Sequence, residues 1–136
     1  MKHWYAYHSQ NTMKHPYSDI GRSAFYLSKK TVKHLCIGDL IWVVEGDTTT
    51  PANFFLVDCF KYSSSEFPPF KSEYSNFDIC IIGTSLLYSS ISLNRNSDDW
   101  FADLHSRFIT KQRFFNSIDD TQDIIDGFLN VSKIKI

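Results

Sequence analysis

The chain has 136 residues, of which 43% are hydrophobic and 16% are aromatic, and its formal net charge is −1. This length predicts a single domain, residues 1–136, with one substantial core. The near-neutral charge excludes the uniformly basic surface of a protein that coats nucleic acid, so any contact with nucleic acid must come from a local patch.

The first predicted strand covers His3 to Ser9. Successive side chains of a strand point to opposite faces, which places two tyrosines on one face and Trp4, Ala6 and His8 on the other. The polar residues Gln10 to Arg22 include His-Pro, Ser-Asp and glycine, which predict a loop that returns over the sheet.

A short buried strand between two Gly-Asp turns is the clearest local pattern. Leu40 to Glu45 is apolar and β-branched, and it follows Gly38-Asp39 and precedes Gly46-Asp47. Before it, Ser28 is a candidate N-cap for a short helix over Lys29 to Leu35. The predicted opening order is therefore strand, loop, short helix and strand.

The second half continues with strands and ends with helices. Strong strands are predicted over Phe54 to Tyr62 and Asp78 to Leu87, and a weaker one through Tyr88 to Leu93. Apolar residues at helical spacing predict a helix over Trp100 to Phe108 and a final helix capped by Thr121. About five to six strands with two or three short helices predict an α+β protein built on a small, partly open β-barrel.

Cysteine usage and the N-terminus bear on location. Cys36, Cys59 and Cys80 stand far apart in apolar runs, a pattern typical of reduced core residues in a cytoplasmic protein. The N-terminus lacks the apolar segment of a signal peptide, and no run approaches the about 18 apolar residues of a membrane span. We expect a cytoplasmic protein with no membrane partner.

The common catalytic motifs are missing. The sequence contains no G-x-G-x-x-G, no P-loop, no H-E-x-x-H and no G-x-S-x-G. His3, His8 and His15 have no usual metal-ligand spacing. We therefore expect no catalytic residue, no metal and no cofactor.

A set of aromatic and polar residues on the first strands predicts a binding site instead. Flat rings stack on a nucleobase, and a few polar groups read its edge. The candidate base-binding residues are Trp4, Tyr5, Tyr7, His8, Ser9, Tyr17, Ser18, Trp42, Glu45 and Asp58. The alternative is that the aromatic rings only fill the barrel.

Basic residues cluster near the predicted short helix. Arg22, Lys29, Lys30 and Lys33 are candidate phosphate-binding residues, because phosphate contacts position a nucleic acid while base contacts specify it. The alternative is a solvated helix face with no ligand.

Three segments resemble the PUA-like superfamily, most closely its EVE branch, which is related to YTH domains. They are HWYAYHSQ, IGDLIWVVEG and FFLVDCFKY, and the superfamily's Gly-Asp turn corresponds to Gly38-Asp39. The resemblance covers about residues 1 to 62. It implies a pseudo-barrel that accepts a flipped, modified base, with aromatic residues at Trp4, Tyr5, Tyr7 and Trp42 and polar groups at His8 and Ser9.

EVE-like domains are associated with reading modified cytosine or adenine, often fused to nuclease modules in modification-dependent restriction. The resemblance thus implies modified DNA, ahead of RNA, as the partner. Because these residues contain no nuclease segment, it also implies a separate nuclease or other effector.

Two alternatives remain open. A protein-interaction module of the same fold is favoured by the aromatic segment Phe67 to Tyr74. An amidohydrolase resembling ASCH domains would use Glu45 as its carboxylate, but the Thr-x-Lys pair of those proteins is replaced here by His8-Ser9-Gln10.

Overall fold

A curled β-sheet of seven strands is the frame of the protein, seen in a computed structural model that describes residues 1–136. The strands are β1 (His3–Ser9), β2 (Ala24–Leu27), β3 (Leu40–Gly46), β4 (Phe54–Glu66), β5 (Ile79–Ser85), β6 (Ile91–Leu93) and β7 (Phe115–Ser117). Their order across the sheet is β2-β5-β4-β3-β1-β7, and β6 pairs with β4 outside this path. Only β1 and β3 run parallel.

Three short helices accompany this sheet. They are α1 (Gln10–Met13), α2 (Asp99–Leu104), which continues into a π-helical turn over His105–Ile109, and α3 (Gln122–Ser132). Helices α2 and α3 pack on one face of the sheet. None of them combines the length and the apolarity needed to cross a bilayer. The predicted α+β class with a small, partly open barrel is confirmed.

Two hydrophobic cores lie on opposite faces of the sheet, because successive strand residues point to opposite sides. The helix-side core includes Trp42, Phe101 and Phe128 under α2 and α3. The barrel-side core joins residues of β2 to residues of β1 and β7, such as Phe25 to Trp4. Since β2 and β7 end the strand order, the sheet curls around this second core.

The first Gly-Asp turn fastens β1 to the sheet. Gly38 adopts a positive φ of 97°, which glycine tolerates without a steric penalty. The buried Asp39 carboxylate accepts hydrogen bonds from the Lys2 and Cys36 N–H groups and from the Trp4 indole, at 2.9, 2.9 and 3.0 Å. Burial raises the pKa of Asp39, but these hydrogen bonds outweigh it and hold the pKa below its ordinary value.

The structure differs from the predicted elements at several places. Lys29–Val32 forms a single 3₁₀ turn rather than a helix to Leu35, and the Ser28 side chain does not cap it. Strands β2 and β7 were not predicted, and β4 runs past Tyr62 to Glu66. Short strands carry too little periodicity to be read from a single sequence, and their pairing comes from distant partners.

The cysteines are all free, but only two of them lie in the cores. Cys59 and Cys80 are buried, as predicted. Cys36 is exposed in the turn before β3, where its backbone N–H donates to Asp39, so the predicted core position is wrong for this residue.

Candidate functional site

A cavity of about 280 Å³ lies where the curled sheet fails to close. The end of β1, the edge strand β2 and the start of β7 border it. Its buried lining consists of Phe25, Leu27, Phe115 and His8. Less buried residues complete the walls and the mouth, namely Tyr7, Ser9, Thr12, Met13, Ile20, Tyr26, Ser28, Thr31, Phe77 and Phe114.

His8 is the one polar lining residue that is buried, with 1% of its surface exposed. Its Nε2 lies 2.8 Å from the carbonyl oxygen of His15 and 3.9 Å from Oε2 of Glu45. Burial lowers the pKa of His8, while the His15 carbonyl and the Glu45 carboxylate act in the opposite direction. The net direction is downward, which favours the neutral ring.

A buried hydrogen-bond network supports the cavity from behind. Oε2 of Glu45 accepts the Tyr17 N–H at 2.6 Å, and the Tyr17 ring meets His8 edge-on with centroids 5.8 Å apart. Glu45 therefore fastens the loop after α1 against β3. Burial, followed by the adjacent Asp58 charge, raises the pKa of Tyr17 far above its ordinary value, so its hydroxyl keeps its proton.

Asp58 on β4 is fully buried and satisfied by its neighbours. Oδ2 accepts the Tyr17 hydroxyl at 2.9 Å and the Ser23 N–H at 2.8 Å, and Oδ1 accepts the Ser85 hydroxyl. A carboxylate with this many donors holds the loop to the sheet and is not directed at the cavity.

The structure places the largest aromatic residues that were predicted to bind a base in the two cores and not at the cavity. Trp42 is fully buried, stacks on Phe128 with centroids 4.9 Å apart, and donates its indole N–H to Nδ1 of His3 at 3.0 Å. Tyr5 lies opposite Trp42 in the β1–β3 register and shares the helix-side core. Trp4 stacks on Phe115 in the barrel-side core.

Strand phase explains this outcome. Trp4 belongs to the barrel-side core, whereas Tyr5 and Trp42 belong to the helix-side core, so one pocket cannot hold all three. Tyr7 packs against the helix-side core and also lines the cavity at the open end of β1. The structure brings three of the predicted residues to the cavity: Tyr7, His8 and Ser9. Tyr17, Glu45 and Asp58 lie in the supporting network, and Ser18 is exposed outside the cavity.

The predicted cations are all exposed, but they differ in position. Lys29 and Lys30 lie in the turn between Ser28 and Thr31, which line the cavity. Arg22 lies beside Ser23 in the Asp58 network, and Lys33 follows the turn. None of the four forms an ion pair.

Sequence reasoning missed most of the cavity lining. Phe25 and Leu27 on β2 carry the alternation of a half-buried strand, but four residues are too few to stand out. Phe114 and Phe115 were visible only as an aromatic pair beside a turn. Lys14 was also missed as a candidate cation, although it is exposed and adjoins the lining residue Met13. Arg113 is likewise exposed and adjoins the lining residue Phe114.

The aromatic segment considered as a partner surface packs largely on the protein itself. Tyr74 stacks on Tyr26 with centroids 3.9 Å apart, and Phe70 meets the same ring edge-on at 5.1 Å. Phe67 stays 57% exposed. One exposed ring is much less than the contiguous apolar patch of a typical protein interface.

No three His, Cys, Asp or Glu side chains are grouped closely enough to hold a metal ion. His3 contacts Trp42 in one core, and His8 contacts the His15 carbonyl beside the cavity.

A comparison with models of known protein families found no match, and a comparison with curated proteins found none either.

Proposed function

We propose that this protein binds nucleic acid and accepts one modified base, turned out of its strand, into the cavity beside His8. The observation that carries the proposal is one cavity with an aromatic and aliphatic floor and a single buried polar group. Its volume is near the lower end of the about 300–1,000 Å³ typical of small-molecule sites, which suits one flat ring system. Stacking on such rings contributes about 1–3 kcal/mol per base.

Exposed cations beside the cavity support a polyanionic partner. Lys14, Lys29, Lys30 and Arg113 each adjoin a lining residue in sequence, and none is paired with a carboxylate. They come from three separate segments that border the cavity, so a strand whose base enters it passes near several of them. The EVE resemblance favours modified DNA over RNA and a nuclease or other effector acting with this chain.

The test is a binding titration with labelled oligonucleotides at two salt concentrations. Duplexes and single strands carry cytosine, 5-methylcytosine, 5-hydroxymethylcytosine, adenine or N6-methyladenine. We expect affinity that falls steeply with salt, because phosphate contacts release counterions, and that favours one modified base. Equal, weak binding of all strands would contradict base recognition.

An activity assay tests the hydrolase alternative. Turnover of an acylated nucleoside, lost in Glu45→Gln, would support it.

A variant whose cavity mouth is blocked, and a control with the same substitution elsewhere, test whether the ligand binds in the cavity. Thr31 is exposed and lines the cavity, so Thr31→Trp places an indole at the mouth without removing a core contact. Thr84 is exposed on β5 away from the cavity, and Thr84→Trp adds the same bulk there. We expect Thr31→Trp to weaken binding at least about tenfold while Thr84→Trp does not. Unchanged binding by folded Thr31→Trp would place the ligand elsewhere.

A further inference from the structure

We infer that His8 determines the specificity of the cavity, because its Nδ1 acts as a hydrogen-bond acceptor and pairs with an exocyclic amino group of the bound base. This inference rests on the proposed function and adds which hydrogen-bonding group the bound base presents to His8. A base edge with an exocyclic amino group satisfies Nδ1, whereas the same edge with a keto oxygen does not.

The tautomer of His8 follows from its one hydrogen bond. A carbonyl oxygen only accepts, so the Nε2 atom that lies 2.8 Å from the His15 carbonyl carries the proton. The neighbouring Glu45 carboxylate also lies on the Nε2 side of the ring, at 3.9 Å. In the neutral ring, Nδ1 then has a lone pair and no proton.

Nδ1 makes no hydrogen bond within the protein, although the His8 ring is 1% exposed and lines the cavity. Burial lowers the pKa of His8 and so keeps Nδ1 an acceptor at neutral pH. Nδ1 is not among the fully buried polar atoms that lack a partner, so it keeps a small accessible surface. An acceptor without a protein partner on a cavity-lining ring favours a ligand that supplies the missing donor.

Three serine and threonine side chains of the lining make local hydrogen bonds. The Ser9 hydroxyl oxygen accepts the Thr12 N–H at 3.3 Å, and the Thr31 hydroxyl donates to the Ser28 carbonyl at 2.7 Å. The Ser28 hydroxyl lies 3.4 Å from a carboxylate oxygen of Asp78. Among the buried lining residues only His8 is polar, so we assign discrimination at the floor to His8.

Paired single strands in which a keto oxygen replaces an amino group test the inference on the unmodified protein. 5-Methylcytosine is compared with thymine, and 5-hydroxymethylcytosine with 5-hydroxymethyluracil. Each pair keeps the substituent at C5, and the keto member also carries N3–H in place of the N3 lone pair. N6-methyladenine is compared with hypoxanthine, which lacks the methyl group and carries N1–H. We expect the amino member of the bound pair to bind about tenfold tighter or more, since an acceptor facing a keto oxygen leaves both unpaired.

Two substitutions assign the preference to His8. His8→Asn keeps an acceptor oxygen close to the position of Nδ1, whereas His8→Phe keeps the ring shape and removes the acceptor. We expect His8→Asn to retain the amino preference and His8→Phe to bind both members of a pair equally. Circular dichroism and thermal melting check that each variant is folded, and the comparison on the unmodified protein does not depend on either variant.

The outcomes separate the two levels of the hypothesis. Modification-dependent binding without an amino preference, or with a keto preference, overturns the role of His8 and leaves the proposed function standing. An amino preference that persists in folded His8→Phe also overturns it. Absence of binding to every strand overturns both.

Discussion

At the scale of single residues, buried carboxylates and histidines stabilise this fold. They do so through hydrogen bonds and not through pairing with a charged partner. Asp39, Asp58 and Glu45 are buried, and each accepts hydrogen bonds from a neighbouring segment of chain. A buried carboxylate is stable only when donors replace its hydration. The first role of these residues is therefore to stabilise the fold, whether or not a ligand binds.

Asp39→Ala should lower the free energy of unfolding by on the order of 3 kcal/mol, because two N–H groups and the Trp4 indole lose their acceptor. The measurement is urea denaturation followed by circular dichroism. Asp47→Ala in the second Gly-Asp turn is the matched control, since Asp47 accepts hydrogen bonds only from Thr49 and Asn53 of the same turn. Equal losses in the two variants would contradict the role assigned to Asp39.

His3 makes stability depend on pH. Its Nδ1 accepts the Trp42 indole N–H, and burial lowers its pKa below the ordinary value of 6.5. Unfolding then takes up a proton, so the free energy of unfolding falls as pH decreases from 6.5 toward the lowered pKa. His8 contributes in the same direction.

Urea midpoints at pH 7.5 and pH 5.5 measure this dependence. His3→Asn keeps an acceptor for Trp42 without a titrating ring, and we expect a smaller loss of stability on acidification than in the unmodified protein. His34→Asn, at an exposed position of positive φ that asparagine tolerates, should leave the loss unchanged. A pH dependence that His3→Asn does not reduce would contradict this assignment.

At the scale of secondary-structure elements, α3 packs closely enough to require glycine in its middle. A Cβ at Gly127 would overlap the Trp100 indole of α2. Alanine favours a helix over glycine by about 1 kcal/mol, but overpacking a core costs about 1–3 kcal/mol. The close approach therefore outweighs helix propensity.

Gly127→Ala should destabilise the protein by about 1 to 2 kcal/mol in urea denaturation. Asn130→Ala is the control, because Asn130 is exposed on the same helix and alanine there gains propensity without a clash. Stabilisation by Gly127→Ala would show that Trp100 moves aside easily and that the packing of α2 on α3 is loose.

How far the elements could be predicted depended on their length. Strand β1 and the buried strand β3 agree with the prediction within a residue or two, since each combines a clear pattern with a turn at its end. Strands β2 and β7 have four and three residues, and only their distant partners define them. Because β2 and β7 border the cavity, its lining was largely hidden from sequence reasoning.

Residue type alone did not show on which face of the sheet each aromatic lies. A tryptophan on a buried strand suggested a pocket, but Trp42 faces the helices. Strand alternation does not show which side the helices cover. Tyr7, His8 and Ser9 do line the cavity, and their binding of a base stays a prediction.

At the scale of the whole molecule, the incomplete closure of the sheet and the cavity are one feature. Strands β2 and β7 end the strand order, and both contribute to the lining. The proposed recognition of a modified base therefore uses the gap that a closed barrel would fill with its own side chains.

The position of β1 has a consequence for synthesis on the ribosome. His3 pairs with Leu40, but Trp4 also pairs with Ser117, so β1 completes its ladder only after β7 has been made, more than a hundred residues later. Phe115, part of the cavity floor, belongs to the same late strand. A nascent chain that has not reached β7 therefore has no finished cavity and is not yet competent to recognise a ligand.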